Sequence, residues 1–384
     1  MTARGFYTLL FGAILMITAL SVSSAGAFLL GAAALIAWLL AGISVLFAFL
    51  TLRITQSVSA GGQELQVYRG DLCLYRLGVT MLSPLPIAPL SLRVALPGGQ
   101  TREFMLPTRL FGTTESDNSF PCPHVGLCPL GVVQIRVGDC FGLFSLRHKV
   151  RQELITVTVL PNARDVSPMP TSPGEGEATS LQRAQADRTT PEDTRLWQEG
   201  DEMKRVHWKL SMRKQQLMVH TYETPQRPDA LVLVDLAPPP QTGAARANAI
   251  DMLTETSAGV LKSLLDSGRM ARLPLSGDRP REMSGQQSAA LYPMLTALAQ
   301  ESFSRPMAFE RALYAASRRM RRTGSTAIVT ANLTPAVAET TIALARMGPK
   351  TRVYLIAPGS LSTEQEQLIA LLRRSGVEAE HVAA

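Results

Sequence analysis

The chain has 384 residues, of which 46% are hydrophobic and 18% charged, and its formal net charge is +7. Its length allows two soluble domains beside a membrane segment. Only 6% of the residues are aromatic, and the densest basic cluster, at residues 318–322, is typical of one helix end. A nucleic-acid groove that interleaves basic and aromatic residues is therefore not indicated. The positive charge instead favours anionic lipid headgroups at a membrane face.

The N-terminal segment from Gly5 to Leu52 contains no charged side chain. A helix of that length would measure about 70 Å at about 1.5 Å per residue, enough to cross a hydrocarbon core of about 30 Å twice. We therefore predict a transmembrane helical hairpin at residues 1–53. Its apolar segments are Phe6–Leu20 and Phe28–Leu50, and its turn lies within residues 21–27.

The two arginines that flank this segment, Arg4 and Arg53, set its expected orientation. Lys and Arg are enriched on the cytoplasmic side of membranes, so everything after Arg53 is expected in the cytoplasm, at the inner membrane. The competing interpretation is a cleaved signal peptide, in which Thr2, Ala3 and Arg4 form the basic start and residues 25–27 the cleavage site. Under both interpretations the second apolar segment returns the chain to the cytoplasmic side.

Residues 54–165 alternate apolar and polar side chains in short runs, which is the pattern of half-buried strands. Turn residues such as Pro97, Gly98 and Gly99 separate the runs. Because no convincing helix lies between the runs, this segment is predicted to form a β-sandwich or a barrel, and we expect a β-sandwich-like domain. The predicted strands are Glu64–Tyr68, Asp71–Val79, Leu90–Leu96, Arg102–Leu106, Val132–Val137 and Glu153–Leu160.

The four cysteines of the chain lie in this domain, and none forms a C-x-x-C pair. Zinc sites usually contain at least one such short ligand pair, so a metal site is not predicted here. Reduced thiols are expected instead, because the cytoplasm disfavours disulfides. The cysteines are Cys73, Cys122, Cys128 and Cys140.

A stretch rich in Ser, Thr, Pro and Glu at residues 166–190 predicts a linker, because that composition cannot support a packed core. Residues 229–384 then alternate apolar strands with helices, starting with Ala230–Asp235. This alternation predicts a doubly wound, mostly parallel sheet whose ligand site would lie at the carboxyl ends of its strands. The other predicted strands are Arg269–Leu275, Thr326–Leu333, Arg352–Pro358 and Val377–Val382, and the predicted helices are Ala244–Asp266, Gly285–Gln300, Met307–Arg322, Pro335–Met347 and Ser362–Arg374.

The segment at residues 191–228 contains two of the three tryptophans. It resembles the signature of a bacterial membrane protein family named only as domain-of-unknown-function family fifty-eight: an aromatic residue, Gly-Asp, a basic residue, Ile-(Asp or His)-Trp-Lys and Ala-Arg. The residues that fall on this pattern are Trp197, where Tyr is usual, Gly200, Asp201, Lys204, where Arg is usual, His207, Trp208, Lys209 and Arg213. Asp139–Phe144 also resembles the family's Asp-Pro-Phe-Gly-Leu-Phe, with Cys140 in place of proline.

This resemblance implies an architecture and a role. Members of the family typically have an N-terminal membrane hairpin, a β-rich region, the signature segment and a domain similar to von Willebrand factor type A. They have no established reaction, and they commonly accompany a MoxR-type AAA+ ATPase and a membrane protein with a transglutaminase-like domain. The resemblance therefore implies an interaction or scaffold protein that acts in the assembly or maturation of a partner complex.

The signature residues allow three interpretations. In the first, Trp208 is buried in a structural brace, and its replacement by Ala would cost about 3–5 kcal/mol. In the second, the segment is a docking surface for a partner. In the third, the protein is a hydrolase in which His207 acts with Asp201 or Glu202, although a general base also needs a nucleophile or water within reach.

One metal site typical of von Willebrand type A domains is expected to be degenerate here. In those domains the first strand ends in Asp-x-Ser-x-Ser, whose oxygens bind a divalent cation together with a Thr and an Asp from later loops. In this chain Asp235 is followed by Ala237 and Pro239 at the serine positions, and Ala331 stands where Asp is usual. We therefore expect no bound cation, and Asp235 either caps the following helix or holds its loop.

Other sequence motifs of catalysis are also missing. The chain contains no glycine-rich phosphate loop, no H-E-x-x-H and no G-x-S-x-G. We therefore expect neither a cofactor nor an enzymatic activity, with the hydrolase kept as the alternative.

Overall fold

In the computed structural model the chain forms two compact units, an N-terminal unit at Met1–Asn162 and a C-terminal unit at Ala163–Ala384. The structure describes residues 1–59, 65–83, 86–109, 111–150, 154–170, 193–198, 203–221, 229–277, 280–304, 308–318, 320, 323–357 and 359–383. Most of the predicted linker, at residues 171–190, lies outside these ranges.

The N-terminal unit begins with two apolar helices, α1 at Ala3–Val22 and α2 at Ala25–Thr51. Both are long and apolar enough to cross a membrane. Ser23 ends α1 in the left-handed region, with a φ of 50°, and the Ser24 hydroxyl accepts the N–H of Ala27 to cap α2. The predicted turn within residues 21–27 is therefore confirmed.

Small residues bring the two helices close together. A Cβ added to Gly12 would lie 3.0 Å from Cδ2 of Leu35, and one added to Gly31 would lie 3.2 Å from the backbone nitrogen of Met16. Packing of this kind lets helices associate where the hydrophobic effect cannot drive them together.

The rest of the N-terminal unit is built of strands. They are β1 (Arg53–Ser59), β2 (Gln66–Tyr68), β3 (Leu72–Leu82), β4 (Leu90–Ala95), β5 (Thr101–Leu106), β6 (Phe111–Pro121), β7 (Gly126–Gly138), β8 (Ser145–Lys149) and β9 (Ile155–Leu160). Within the described ranges, one sheet has the order β1-β3-β6, and a second has the order β2-β9-β7-β4-β5 with β8 also paired to β7. Their apolar faces form one buried cluster that also includes Val45 and Ala48 of α2.

Strands β1, β6 and β8 were not predicted from the sequence. Strand β6 is rich in Ser, Thr, Asn and Asp, which are residues that favour turns. It nevertheless pairs with β3 along its whole length, from Leu72 opposite Pro121 to Leu82 opposite Phe111. A well-formed neighbouring strand thus overrides the local preference, since β propensity depends strongly on context.

The C-terminal unit contains a six-stranded sheet with helices on both faces, which confirms the α/β prediction in outline. Its strands are β12 (Asp229–Val234), β13 (Ala271–Leu275), β14 (Arg281–Gly285), β15 (Thr323–Thr330), β16 (Lys350–Ile356) and β17 (Glu378–Val382). Its helices are α4 (Gly243–Asp266), α5 (Leu291–Ala299), α6 (Phe309–Ser317), α7 (Pro335–Arg346) and α8 (Thr363–Arg374). One buried cluster joins the sheet to α4 and α5, and another joins it to α6, α7 and α8.

The sheet has the order β14-β13-β12-β15-β16-β17, in which the edge strand β14 is antiparallel and the other five strands run parallel. The prediction of one helix over Gly285–Gln300 is wrong at its start, because Gly285 ends β14. The predicted helix Met307–Arg322 is also shorter, since α6 ends at Ser317.

The described start of the predicted linker is packed against the C-terminal unit. Met169 is 6% exposed and belongs to the cluster beneath α4 and α5. Nη1 of Arg352 donates to the carbonyl oxygens of Ser167 and Pro168, at 3.0 and 2.8 Å. Met169 and Arg352 therefore hold residues 167–169 in place, although the composition of the predicted linker does not favour packing.

Candidate functional site

The signature segment folds as a short helix held against a strand pair. Strand β10 (Asp193–Leu196) pairs antiparallel with β11 (Met218–Thr221), and helix α3 (Trp208–Lys214) lies between them in the chain. The N–H of Trp197 donates to the carbonyl of Leu217, and that of His207 donates to the carbonyl of Met218, both at 2.8 Å. These bonds fix the start of α3 relative to β11.

His207 is the N-cap residue of α3. Its Nδ1 accepts the backbone N–H of Leu210 at 3.2 Å, which requires Nδ1 to be unprotonated. Ser211 completes the attachment, because its hydroxyl accepts the N–H of Met218 at 2.8 Å and donates to the carbonyl of His207 at 3.0 Å. The histidine of the signature thus orients the helix through its side chain and its backbone.

Trp208 does not have the buried position that the brace interpretation requires. Its side chain is 57% exposed, so the expected loss of about 3–5 kcal/mol on truncation is not supported. Val206, Met218 and Val219 are buried instead and supply the apolar packing of the segment. The position of Trp208 next to an N-cap residue does not by itself predict which way its side chain faces. The attachment of α3 to β11 sets this orientation.

An apolar and basic surface results on the outer side of α3. Trp208 and Met212 are four residues apart, and therefore neighbours on one helix face, and Met212 is 81% exposed. Lys204, Lys209 and Arg213 are also exposed in this segment. No acidic residue occurs between Met203 and Thr221. We call these five side chains, Lys204, Trp208, Lys209, Met212 and Arg213, the α3 surface.

The remaining signature residues, Gly200 and Asp201, lie outside the described residues, as does Glu202. The structure therefore describes neither acid of the hydrolase alternative. It shows His207 with Nδ1 engaged in the helix cap, and no observation on the described residues favours catalysis. Met212 was missed by the sequence reasoning, and its spacing of four from Trp208 was the available signal.

Asp235 lies at the carboxyl end of β12 and is fully buried. Its Oδ1 accepts the N–H of Ala237 at 2.9 Å, while its Oδ2 accepts the Thr330 hydroxyl at 2.7 Å and Nδ2 of Asn332 at 3.2 Å. Burial raises the pKa of the Asp235 carboxyl, and the three hydrogen bonds oppose this shift. Asp235 therefore holds its loop, and it does not cap α4, which begins at Gly243 after Thr242.

The residues around Asp235 do not fit a divalent cation. Such a cation needs several oxygen ligands, whereas Ala237 has no side-chain oxygen and Asn332 turns its amide nitrogen towards the carboxylate. The adjacent cavity, which Asp235, Ala237, Ser276 and Phe309 help to line, measures about 20 Å³, room for about one water molecule. Asn332 was not predicted to contact Asp235, although it follows Thr330 by only two residues.

The fold and these contacts define an α/β plus β protein with two N-terminal helices that could cross a membrane and a basic signature segment. Residues 193–359 match the model of the family described as "Protein of unknown function DUF58". The resemblance of the signature is thereby confirmed. No curated protein matches the chain.

Two solved structures to which the chain is similar show low values of identity and TM-score. A cohesin module of a family 33 glycoside hydrolase from Clostridium perfringens is 14% identical, covers 28% of this chain and 96% of its own, and has a TM-score of 0.21. The CARDB domain of a Pyrococcus furiosus protein is 13% identical, with 29% and 90% coverage and a TM-score of 0.20. Similarity at this level bears on neither fold nor function.

Proposed function

We propose that this protein is a membrane-anchored scaffold whose soluble units face the cytoplasm and bind a partner through the α3 surface. The two apolar helices and the flanking Arg4 and Arg53 support the anchor and its orientation, because positive charge is retained on the cytoplasmic side. As in the family, the partner is a MoxR-type AAA+ ATPase, with a transglutaminase-like membrane protein as a further component of the complex that is assembled or matured.

The proposal includes a β-sandwich-like domain in the N-terminal unit and a von Willebrand type A-like domain in the C-terminal unit, and the strand arrangement of both units supports it. Two antiparallel-rich sheets around one apolar cluster are the arrangement expected of a β-sandwich-like domain. The strand order of the C-terminal unit, with one antiparallel edge strand and helices on both faces, is that expected of a degenerate von Willebrand type A-like domain. In this proposal the degenerate domain binds its partner without a cation.

The proposal depends most on the exposed pair Trp208 and Met212, on a helix that hydrogen bonds attach to β11. Trp is enriched among residues that dominate binding energy, and Met is enriched in interfaces. Since His207 and Ser211 already fix α3, a partner would lose little free energy in ordering it. The exposed Lys204, Lys209 and Arg213 favour an acidic partner surface and accelerate its association.

Crosslinking and pull-down of the full-length protein from membranes, with and without ATP, tests the proposal. We expect an AAA+ ATPase to be recovered with the wild type and its recovery to fall at least about tenfold with Trp208→Ala and Met212→Ala combined, on the scale of hot-spot residues. Tyr292→Ala is the matched control, because Tyr292 is an exposed aromatic on another helix, α5. Equal recovery with the double variant would exclude the α3 surface.

Protease accessibility tests the orientation separately. We expect protease added to spheroplasts to leave the C-terminal unit intact and to digest it only after the inner membrane is permeabilised. Digestion in intact spheroplasts would place that unit on the periplasmic side and exclude a cytoplasmic ATPase as the partner.

A further inference from the structure

The loop that joins β7 to β8, residues Asp139–Phe144, has its conformation fixed by a buried carboxylate. Asp139 is buried, and its Oδ1 and Oδ2 accept the N–H groups of Phe144 and Phe141, at 2.6 and 3.0 Å. Gly142 adopts a φ of +72°, and its N–H donates to the carbonyl of Asp139 at 3.1 Å. Phe141 is therefore held outward, 67% exposed, by the backbone of the loop.

The same loop packs against the starting end of α1 and the adjoining part of α2. The backbone N–H of Thr2 donates to the carbonyl of Leu143 at 2.9 Å, and the Thr2 hydroxyl donates to the carbonyl of Gly142 at 2.6 Å. The rings of Phe144 and Trp38 lie 5.0 Å apart, between centroids. The loop therefore lies at the level at which α1 begins.

The length of α1 indicates where the start of this helix lies relative to the membrane. The 20 residues of α1 measure about 30 Å, which equals the thickness of the hydrocarbon core. Arg4 lies in the first turn, and its Nη1 is 3.7 Å from the place that a Cβ on Gly142 would occupy. Because a guanidinium near a helix end extends to the headgroup layer, the loop beside Arg4 lies in that layer too.

We propose that the loop Asp139–Phe144 is a third membrane contact of this protein, in which Phe141 enters the bilayer interface and Arg4 meets lipid phosphate. Aromatic rings favour the interface, and a basic residue beside an apolar one is the usual composition of interfacial anchors. The contact would hold the β-stranded part of the N-terminal unit on the membrane surface. This inference rests on the proposed membrane anchoring.

The native cysteines allow a direct measurement of depth. Cys140 is exposed in this loop, whereas Cys73, Cys122 and Cys128 are buried, so a thiol-reactive spin label attaches selectively. The full-length protein, labelled at Cys140 and reconstituted into vesicles of phosphatidylethanolamine and phosphatidylglycerol, is studied by electron paramagnetic resonance. Collisions of the label with oxygen, which dissolves in lipid, are compared with collisions with a water-soluble nickel chelate.

The matched control label is at Gln100→Cys in a Cys140→Ser background. Strand β4 starts near the loop Asp139–Phe144, because the N–H of Ala88, two residues before β4, donates to the carbonyl of Gly138, the last residue of β7. Gln100 is exposed and follows the turn at the other end of β4. The control therefore lies about 20 Å further along the strand direction. We expect a several-fold higher oxygen-to-nickel collision ratio at Cys140 than at the control. Equal ratios would overturn the proposal.

A variant and a flotation assay separate the possible failures. Phe141→Asp should reduce the collision ratio at Cys140 several-fold while the protein still floats with the vesicles, because the helices remain inserted. A wild-type protein that does not float would overturn both the membrane anchoring and the loop contact. A protein that floats, with Cys140 as accessible to nickel as the control, would overturn the loop contact alone.

Discussion

Nδ1 of His207 accepts the backbone N–H of Leu210 at 3.2 Å, and this bond makes the histidine of the signature a helix cap. Helix α3 has only seven residues, and helices this short are marginal without tertiary support. The cap and the contacts of Ser211 with Met218 therefore decide whether α3 forms. The exposure of Trp208 follows from the same contacts.

Replacement of His207 distinguishes capping from catalysis. In His207→Asn, Oδ1 occupies nearly the position of Nδ1 and can accept the same N–H, whereas Nε2 is lost. We expect Asn to preserve the free energy of unfolding, and His207→Ala to lower it by about 0.5–2 kcal/mol, the usual cost of a lost cap. Chemical denaturation of the full-length protein in detergent measures both. If the Asn variant stays folded but loses function by orders of magnitude, His207 is catalytic.

Truncation of Trp208 should affect binding more than folding. Because its side chain is mostly exposed, we expect Trp208→Ala to change the free energy of unfolding by less than about 1 kcal/mol. Met218→Ala is the internal comparison, since Met218 is buried beside α3, and it should cost about 2–5 kcal/mol. Denaturation curves that show similar losses for the two variants would restore the buried brace.

Asp235 should make stability depend on pH in a defined direction. Burial raises its native-state pKa above the ordinary value of 3.8, so its contribution to stability is fully present below that value. The contribution is lost as the pH rises through the native-state pKa. The Asn side chain in Asp235→Asn does not titrate. The free energy of unfolding of this variant, relative to that of the wild type, should therefore increase as the pH rises from about 4. Denaturation at several pH values measures this, and a constant difference would contradict it.

Substitution of Gly259 tests whether residues 163–170, which precede the signature segment, pack against α4. A Cβ at this position in α4 would lie 1.9 Å from the carbonyl oxygen of Arg164, which is a backbone atom. We therefore expect Gly259→Ala to destabilise the C-terminal unit, although Ala is favoured in helices by about 1 kcal/mol. Lys262→Ala, at an exposed position of the same helix, should change stability by less than about 0.5 kcal/mol. A stabilised Gly259→Ala would mean that residues 163–170 do not pack on α4.

Much of the C-terminal unit could be predicted because parallel strands buried on both faces are continuous apolar runs, as in Leu231 to Val234. Strand β14 was not predicted, because its sequence, Arg-Glu-Met-Ser-Gly, has no clear apolar face. Pairing of Arg272 with Ser284 and of Leu273 with Met283 places it at the edge of the sheet. Such pairing depends on the neighbouring strand β13, and the residue pattern of β14 alone does not contain it.

The sequence by itself determined the two apolar helices, the α/β alternation and the family signature, because hydrophobic periodicity and short motifs are local properties of a chain. Only the tertiary structure decided that His207 caps α3, that Trp208 faces outward, and that Asn332 donates to Asp235. These relationships depend on which elements pack together. Asp235 and Asn332 are far apart in the sequence, and the short helix α3 is held in place by its attachment to β11.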